Sequence, residues 1–187
     1  MRPLESHGWR PWPFGGVNLN PQKTDGVLVI EESTVTGVAD ERVRIDLKDN
    51  VVVSMEGGEG ARQLQLFAPG GYYVRHGVLG LNPKARVARA AQFDREKHAG
   101  IFYIGLDGLA DGKQDRMRPG YAHCDCLFLR PSVLVDGSPI VDQGRLLLLD
   151  DPEIRELASR FGPAEILLDA GPTMVLPARY CIPKERT

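Results

Sequence analysis

The stretch YAHCDCLFLRP, residues 121–131, places a histidine, two cysteines and an aspartate side by side. If residues 123–128 form a strand, side chains alternate between its faces, so His123 and Asp125 share one face and Cys124 and Cys126 the other. Residues two apart on a strand lie about 6.5–7 Å apart at Cα, close enough for an imidazole and a carboxylate to converge on one ion. A His-x-Asp pair on its own equally suits a surface hydrogen bond. A Cys-x-Cys zinc site needs two further soft ligands, and Cys181 is the one remaining cysteine. The thiols therefore read as small apolar core residues.

A third ligand must come from elsewhere in the chain. His7 lies in a proline- and tryptophan-rich N-terminal arm, and His98 sits beside Lys97 in a charged helical turn, where a solvated side chain is expected. His76 differs, because it precedes the apolar stretch GVLGLNP in an expected strand, away from any charge run. With His123 and Asp125 it completes a set of two histidines and one carboxylate, the facial arrangement that leaves open positions on non-haem iron(II). Whether His76 shares their face depends on strand register, since a slip of one residue points it the other way.

The elements that must position these residues read as strands with a few short helices. GVLVIEES, RVRIDL and VVVSM have strand character, and KDN between the last two marks a hairpin. GEGARQLQLF carries Ala61, Leu64 and Phe67 on a helical stripe and stops before PGG. YYVRHGVLGLNP, GIFYIG and CDCLFLRP are further strands, with FDREKHAG a helical turn and residues 106–120, rich in glycine and aspartate, a long surface loop. SVLVDGSPIV is a hairpin turning at Asp136-Gly137, and RLLLL another strand. Asp151 caps an amphipathic helix, PEIRELASRF, which Gly162 ends. Short hairpin connections predict an α+β fold, a largely antiparallel sheet with a few short helices in a single domain. The expected organisation is an extended aromatic arm over 1–15, the domain over 16–170 and an extended tail over 171–187.

Composition limits the function classes. A chain of 187 residues with 42% hydrophobic and 26% charged residues buries a sizeable core, and its net charge of -2 argues against a nucleic-acid partner. No apolar run approaches the roughly 18 residues of a membrane span, and the N-terminus is too polar for a signal peptide, so no membrane partner and a cytoplasmic location are expected. The chain carries no phosphate-binding loop, dinucleotide fingerprint, nucleophile elbow or paired CxxC.

The order GVLGLNPKARV, REKHAGIFYIG and HCDCLFLRPSVLVDGSPIVDQGRL resembles the C-terminal domain shared by the aminopeptidase T family of metallopeptidases and the 2,5-dihydroxypyridine 5,6-dioxygenases, over roughly residues 15–150. The resemblance implies that His123 and Asp125 are metal ligands. It also implies that His76 stands where the peptidases carry a ligand glutamate and the dioxygenases a histidine. Tyr103 stands where the peptidases carry a further histidine, and no glutamate occurs in VNLNPQKTDGVLVI before Glu31. The two-metal peptidase site is thus incomplete. Family members are roughly twice as long, with an N-terminal domain that covers the metal cleft.

These departures make a truncated, non-catalytic metallopeptidase-like domain the leading expectation, a pseudoenzyme binding a peptide or a partner enzyme as an accessory of a peptide-modifying pathway. Its anchors would be Trp9, Trp12, Tyr72, Tyr73 and Tyr103, with an exposed sheet edge adding a peptide strand. Apolar surface left by the absent domain predicts a homodimer. The alternative is a mononuclear non-haem Fe(II) ring-cleaving dioxygenase using His76, His123 and Asp125. The cofactor is accordingly either none, or a single Fe(II) or other divalent metal, and the sequence singles out no catalytic residue beyond the ligands.

Overall fold

Alternating apolar residues along successive segments are realised as a ladder of antiparallel strands in the computed structural model, which describes residues 15–85, 92–109, 122–128 and 130–171. Strands β1 (Gly16–Leu19), β2 (Gly26–Ser33), β3 (Gly37–Lys48), β4 (Val51–Glu56), β5 (Tyr72–Gly80), β6 (Phe102–Gly108) and β7 (His123–Phe128) form one sheet. From β2 to β7 each strand pairs with its successor in sequence, and β7 returns to β2 through Glu32↔Leu127 and Ser33↔Cys126. The sheet therefore closes into a meandering barrel, with β1 lying beside β5. Closure pairs β2 with β7, while β1 keeps one edge unpaired among the described residues.

The hairpin between β3 and β4 turns at Asp49 and Asn50, both at positive φ (50° and 68°), as a two-residue turn of this hand requires. Helix α1 (Gly58–Phe67) follows β4 and plugs the barrel with Ala61 and Leu64. Inside lie Ile30, Val43, Ile45, Leu47, Val74, Ile104 and Leu106. Each such side chain contributes roughly 1.5–3 kcal/mol when fully buried. Cys124 and Cys126 are fully buried in the same cluster, as expected of core residues.

A smaller sheet of β8 (Val133–Val135), β9 (Ser138–Asp142) and β10 (Arg145–Leu146) follows the barrel. The Asp136-Gly137 hairpin forms as expected, with both residues at positive φ. RLLLL is not one strand, because after Leu146 the backbone tightens into a 3-10 turn over Leu147–Asp150. Helix α2 (Gln92–Lys97) lies between β5 and β6 in sequence, helices α3 (Pro152–Ser159) and α4 (Ala164–Leu167) complete the described chain, and the Asp151 carboxylate caps α3 by accepting from the Glu153 and Ile154 amides. Leu79 and Ala99 pack with Val141 and Leu146, joining this unit to the barrel. The approach is tight at Gly100 (φ +91°), where a Cβ would stand 2.0 Å from the Gly144 carbonyl oxygen. No helix among the described residues is long and apolar enough to cross a membrane. Residues 1–14 and 172–187, which hold Trp9, Trp12 and Cys181, lie outside the described residues.

Candidate metal site

Three neighbouring strands, β5, β6 and β7, carry the chemistry on their outer face. Strand register arranges it in rows. Tyr73 pairs with Asp107 and Asp107 with His123; His76 pairs with Gly105 and Gly105 with Asp125; Val78 pairs with Tyr103 and Tyr103 with Leu127. His123 and Asp125 share a face because they stand two apart on β7. His76 reaches that face by a different route. Tyr72 and Val74 point into the barrel, and regular alternation would send His76 inward as well. Between Val74 and His76, however, the ladder with β6 shifts by one residue, since Val74 pairs with Leu106 and His76 with Gly105. This bulge inserts an extra residue on β5 and turns His76 outward.

The middle row is the site. Asp125 Oδ1 lies 3.1 Å from His123 Nε2 and 3.7 Å from His76 Nε2, and the three donor atoms all fall within 4.8 Å of one another. The two imidazoles lie nearly parallel, with centroids 5.4 Å apart. Gly105 forms the floor: a Cβ there would stand 2.6 Å from His76 Cε1 and 3.0 Å from His123 Cε1. Asp125 is held from below, because its amide donates to Thr34 Oγ1 and its carbonyl accepts from the Thr34 amide, both at 2.9 Å. The edge of Tyr103 meets the His76 ring at 85°, with centroids 5.8 Å apart.

Electrostatics separate the two histidines. Hydrogen bonds to Asp125 and Asp107 outweigh burial and push the His123 imidazole up to about 9. Burial pulls His76 below its ordinary value, only partly offset by Asp125. Without a metal, therefore, a charged His123 bridges two carboxylates beside a neutral His76. Burial, with the nearby Glu96 carboxylate, raises the Tyr103 phenol and keeps it protonated.

The donor set fits a divalent first-row ion. Bonds of about 2.0–2.2 Å at right angles put neighbouring donors about 3 Å apart, close to the separations from Asp125. The 3.7 Å separation of His76 Nε2 from Asp125 exceeds this, so coordination requires the His76 ring to move towards Asp125. Two neutral nitrogens and one carboxylate, all approaching from the barrel side, leave the solvent side for exogenous ligands.

Several expected site residues have other roles. Tyr72 and Tyr73, expected as peptide anchors, are 1% and 0% exposed, so no peptide can lie against them. Tyr72 points into the barrel and donates to the Leu64 carbonyl at 2.6 Å, while Tyr73 donates to Asp107 Oδ2 at 3.0 Å. Tyr103 is also buried, packed with Val78 and Leu127 beside the site. Trp9 and Trp12 fall outside the described residues. His98 is not solvated but buried, its Nδ1 2.8 Å from the Ala85 carbonyl oxygen. Sequence reasoning missed Gly105, Thr34 and Asp107. Asp107 was hidden in a segment read as loop from composition; its spacing from Tyr103 and Gly105 at alternate positions is the strand signal that could have found it.

The model of the 2,5-dihydroxypyridine 5,6-dioxygenase family matches residues 5–148. Among solved structures, the 2,5-dihydroxypyridine dioxygenase from Pseudomonas putida KT2440 is similar in fold, with a TM-score of 0.54 at 19% identity over 68% of this chain. The chain spans 41% of that protein's length. No curated protein matches it. These findings support the dioxygenase half of the resemblance seen in the sequence and leave the aminopeptidase T half without support. They also overturn the leading expectation of a non-catalytic, peptide-binding metallopeptidase relative. That expectation rested on the missing peptidase ligands and on the missing N-terminal domain, and the dioxygenase match makes the peptidase ligands the wrong standard. The chain belongs to the 2,5-dihydroxypyridine 5,6-dioxygenase family.

Proposed function

We propose that this chain binds one divalent metal, Fe(II) in the first instance, through His76, His123 and Asp125, and takes part in oxidative ring opening of a dihydroxylated nitrogen heteroaromatic of the 2,5-dihydroxypyridine class. The observation that carries the reading is the convergence of the three donor atoms over the Gly105 floor, within a family match covering most of the chain. When bound, iron(II) would supply adjacent open positions at which a hydroxylated ring and dioxygen are brought together. The residues of the chain do the rest. Asp125 supplies the carboxylate donor on a backbone tied by two hydrogen bonds to Thr34, in the turn that follows β2. Tyr103 packs edge-on against His76 and limits its rotation. Val78, Tyr103 and Leu127 form an apolar row beside the donors and keep water from that side.

The test is metal content and oxygen uptake on protein purified without chelator. Wild-type protein reconstituted anaerobically with Fe(II) should hold one equivalent of iron, and His123→Ala should lose it. Adding 2,5-dihydroxypyridine in air should deplete oxygen and bleach the aromatic absorbance. Failure of wild-type protein to retain Fe(II), Co(II) or Zn(II) would refute the metal assignment. Stoichiometric metal without oxygen uptake would refute the substrate assignment.

A further inference from the structure

The row beside the metal donors, Tyr73, Asp107 and His123, is built around a carboxylate that the reading above leaves without a role. Asp107 Oδ1 lies 2.5 Å from His123 Nδ1, and Oδ2 accepts from the Tyr73 hydroxyl at 3.0 Å, with Arg75 Nε at 3.7 Å. Its side chain is 16% exposed. Both contacts run between register partners on adjacent strands, so the barrel itself sets their geometry. Asp107 takes Nδ1 of His123 and Asp125 faces Nε2 at 3.1 Å, so on metal binding Nε2, the nitrogen turned toward Asp125 and His76, would give up its proton while Nδ1 keeps its own for Asp107.

We propose that Asp107 is a positioning residue for the metal site, fixing the tautomer and ring orientation of His123 so that Nε2 is presented to the ion. The proposal rests on the metal reading above. A histidine that ligates through one nitrogen commonly donates its other N–H to a carboxylate, which holds the ring and raises the basicity of the ligating nitrogen. Here Tyr73 and Arg75 hold that carboxylate in turn, making a chain of support three strands wide. The competing account is that Asp107 and His123 form only an ion pair stapling β6 to β7. The two accounts differ in what happens to metal affinity.

Chelator-competition titrations with Co(II) and Zn(II) would compare wild-type protein, His123→Ala and Asp107→Asn, with thermal unfolding of each metal-free form. Asparagine keeps the shape and an acceptor oxygen but removes the charge. Asp107→Asn should bind metal 10–100-fold more weakly than wild type, the range typical of such supporting groups, with an unfolding midpoint within a few degrees. Metal affinity within twofold of wild type, alongside loss of binding in His123→Ala, overturns the role of Asp107 and leaves the metal reading standing. Absence of binding in wild type overturns both. A measurement on wild-type protein covers a variant that fails to fold. In the Zn(II)-loaded protein, nitrogen-15 correlation spectra should show His123 protonated at Nδ1 and metal-bound at Nε2, and the reverse assignment overturns the proposal.

Discussion

Replacing Gly105 with alanine should separate the metal site from the fold more cleanly than removing any ligand. The added Cβ would stand 2.6 Å from His76 Cε1, 2.7 Å from His76 Nε2 and 3.0 Å from His123 Cε1. Carbon contacts settle at about 3.5–4.0 Å, so the His76 ring must retreat by about 1 Å. Ligand distances in a metal site tolerate only about 0.2 Å, so this displacement takes His76 out of coordination. The fold suffers much less. Gly105 is not at positive φ, the backbone accepts alanine, and relief of glycine's entropy in a strand contributes roughly 0.5–1 kcal/mol against the steric cost. Losing one of three protein donors should weaken binding at least as much as altering a supporting residue does. The expected loss is about 100-fold, or ~2.8 kcal/mol. Competition titration with Zn(II) reads the affinity, and thermal unfolding without metal checks the fold. A folded Gly105→Ala protein that binds metal within threefold of wild type would refute the reasoning, because the site would then have room the structure does not show.

Two further outcomes follow from the fold. Tyr72→Phe removes the buried hydroxyl bond to the Leu64 carbonyl and should cost about 1 kcal/mol in urea denaturation while leaving metal affinity unchanged; an effect on metal binding with no loss of stability would contradict its place inside the barrel. The homodimer expected from the sequence predicts a sedimentation mass near twice 20.6 kDa, with Phe161 and Ile166 on the C-terminal helical unit, 80% and 61% exposed, as candidates for burial in the interface. A species of 20.6 kDa at micromolar concentration would rule that assembly out.

Much of the local structure was legible because it depends on neighbours in sequence. The period of two put His123 with Asp125 and sent Cys124 and Cys126 into the core. Of the helical stripe Ala61, Leu64 and Phe67, the first two form the plug of the barrel while Phe67 at the helix end is exposed, and Asp151 with Pro152 marked the start of α3. Segments were misread where local composition outvoted pairing. The glycines and aspartates after Leu106 suggested loop, yet β6 runs on to Gly108 because Asp107 has partners on both sides. The leucines of RLLLL suggested a strand, yet only Arg145 and Leu146 find a pairing partner.

By itself, the sequence determined which residues could bind a metal, that two of them must share a face, and that the chain would fold mainly as antiparallel strands. Each of these follows from residue chemistry or from alternation within a few residues. Tertiary structure alone decided that the sheet closes on itself, that a bulge turns His76 outward to join the pair, and that Gly105 leaves space between them. Those depend on register between strands far apart in the chain. No periodicity within one segment encodes where its neighbour's ladder slips by a residue.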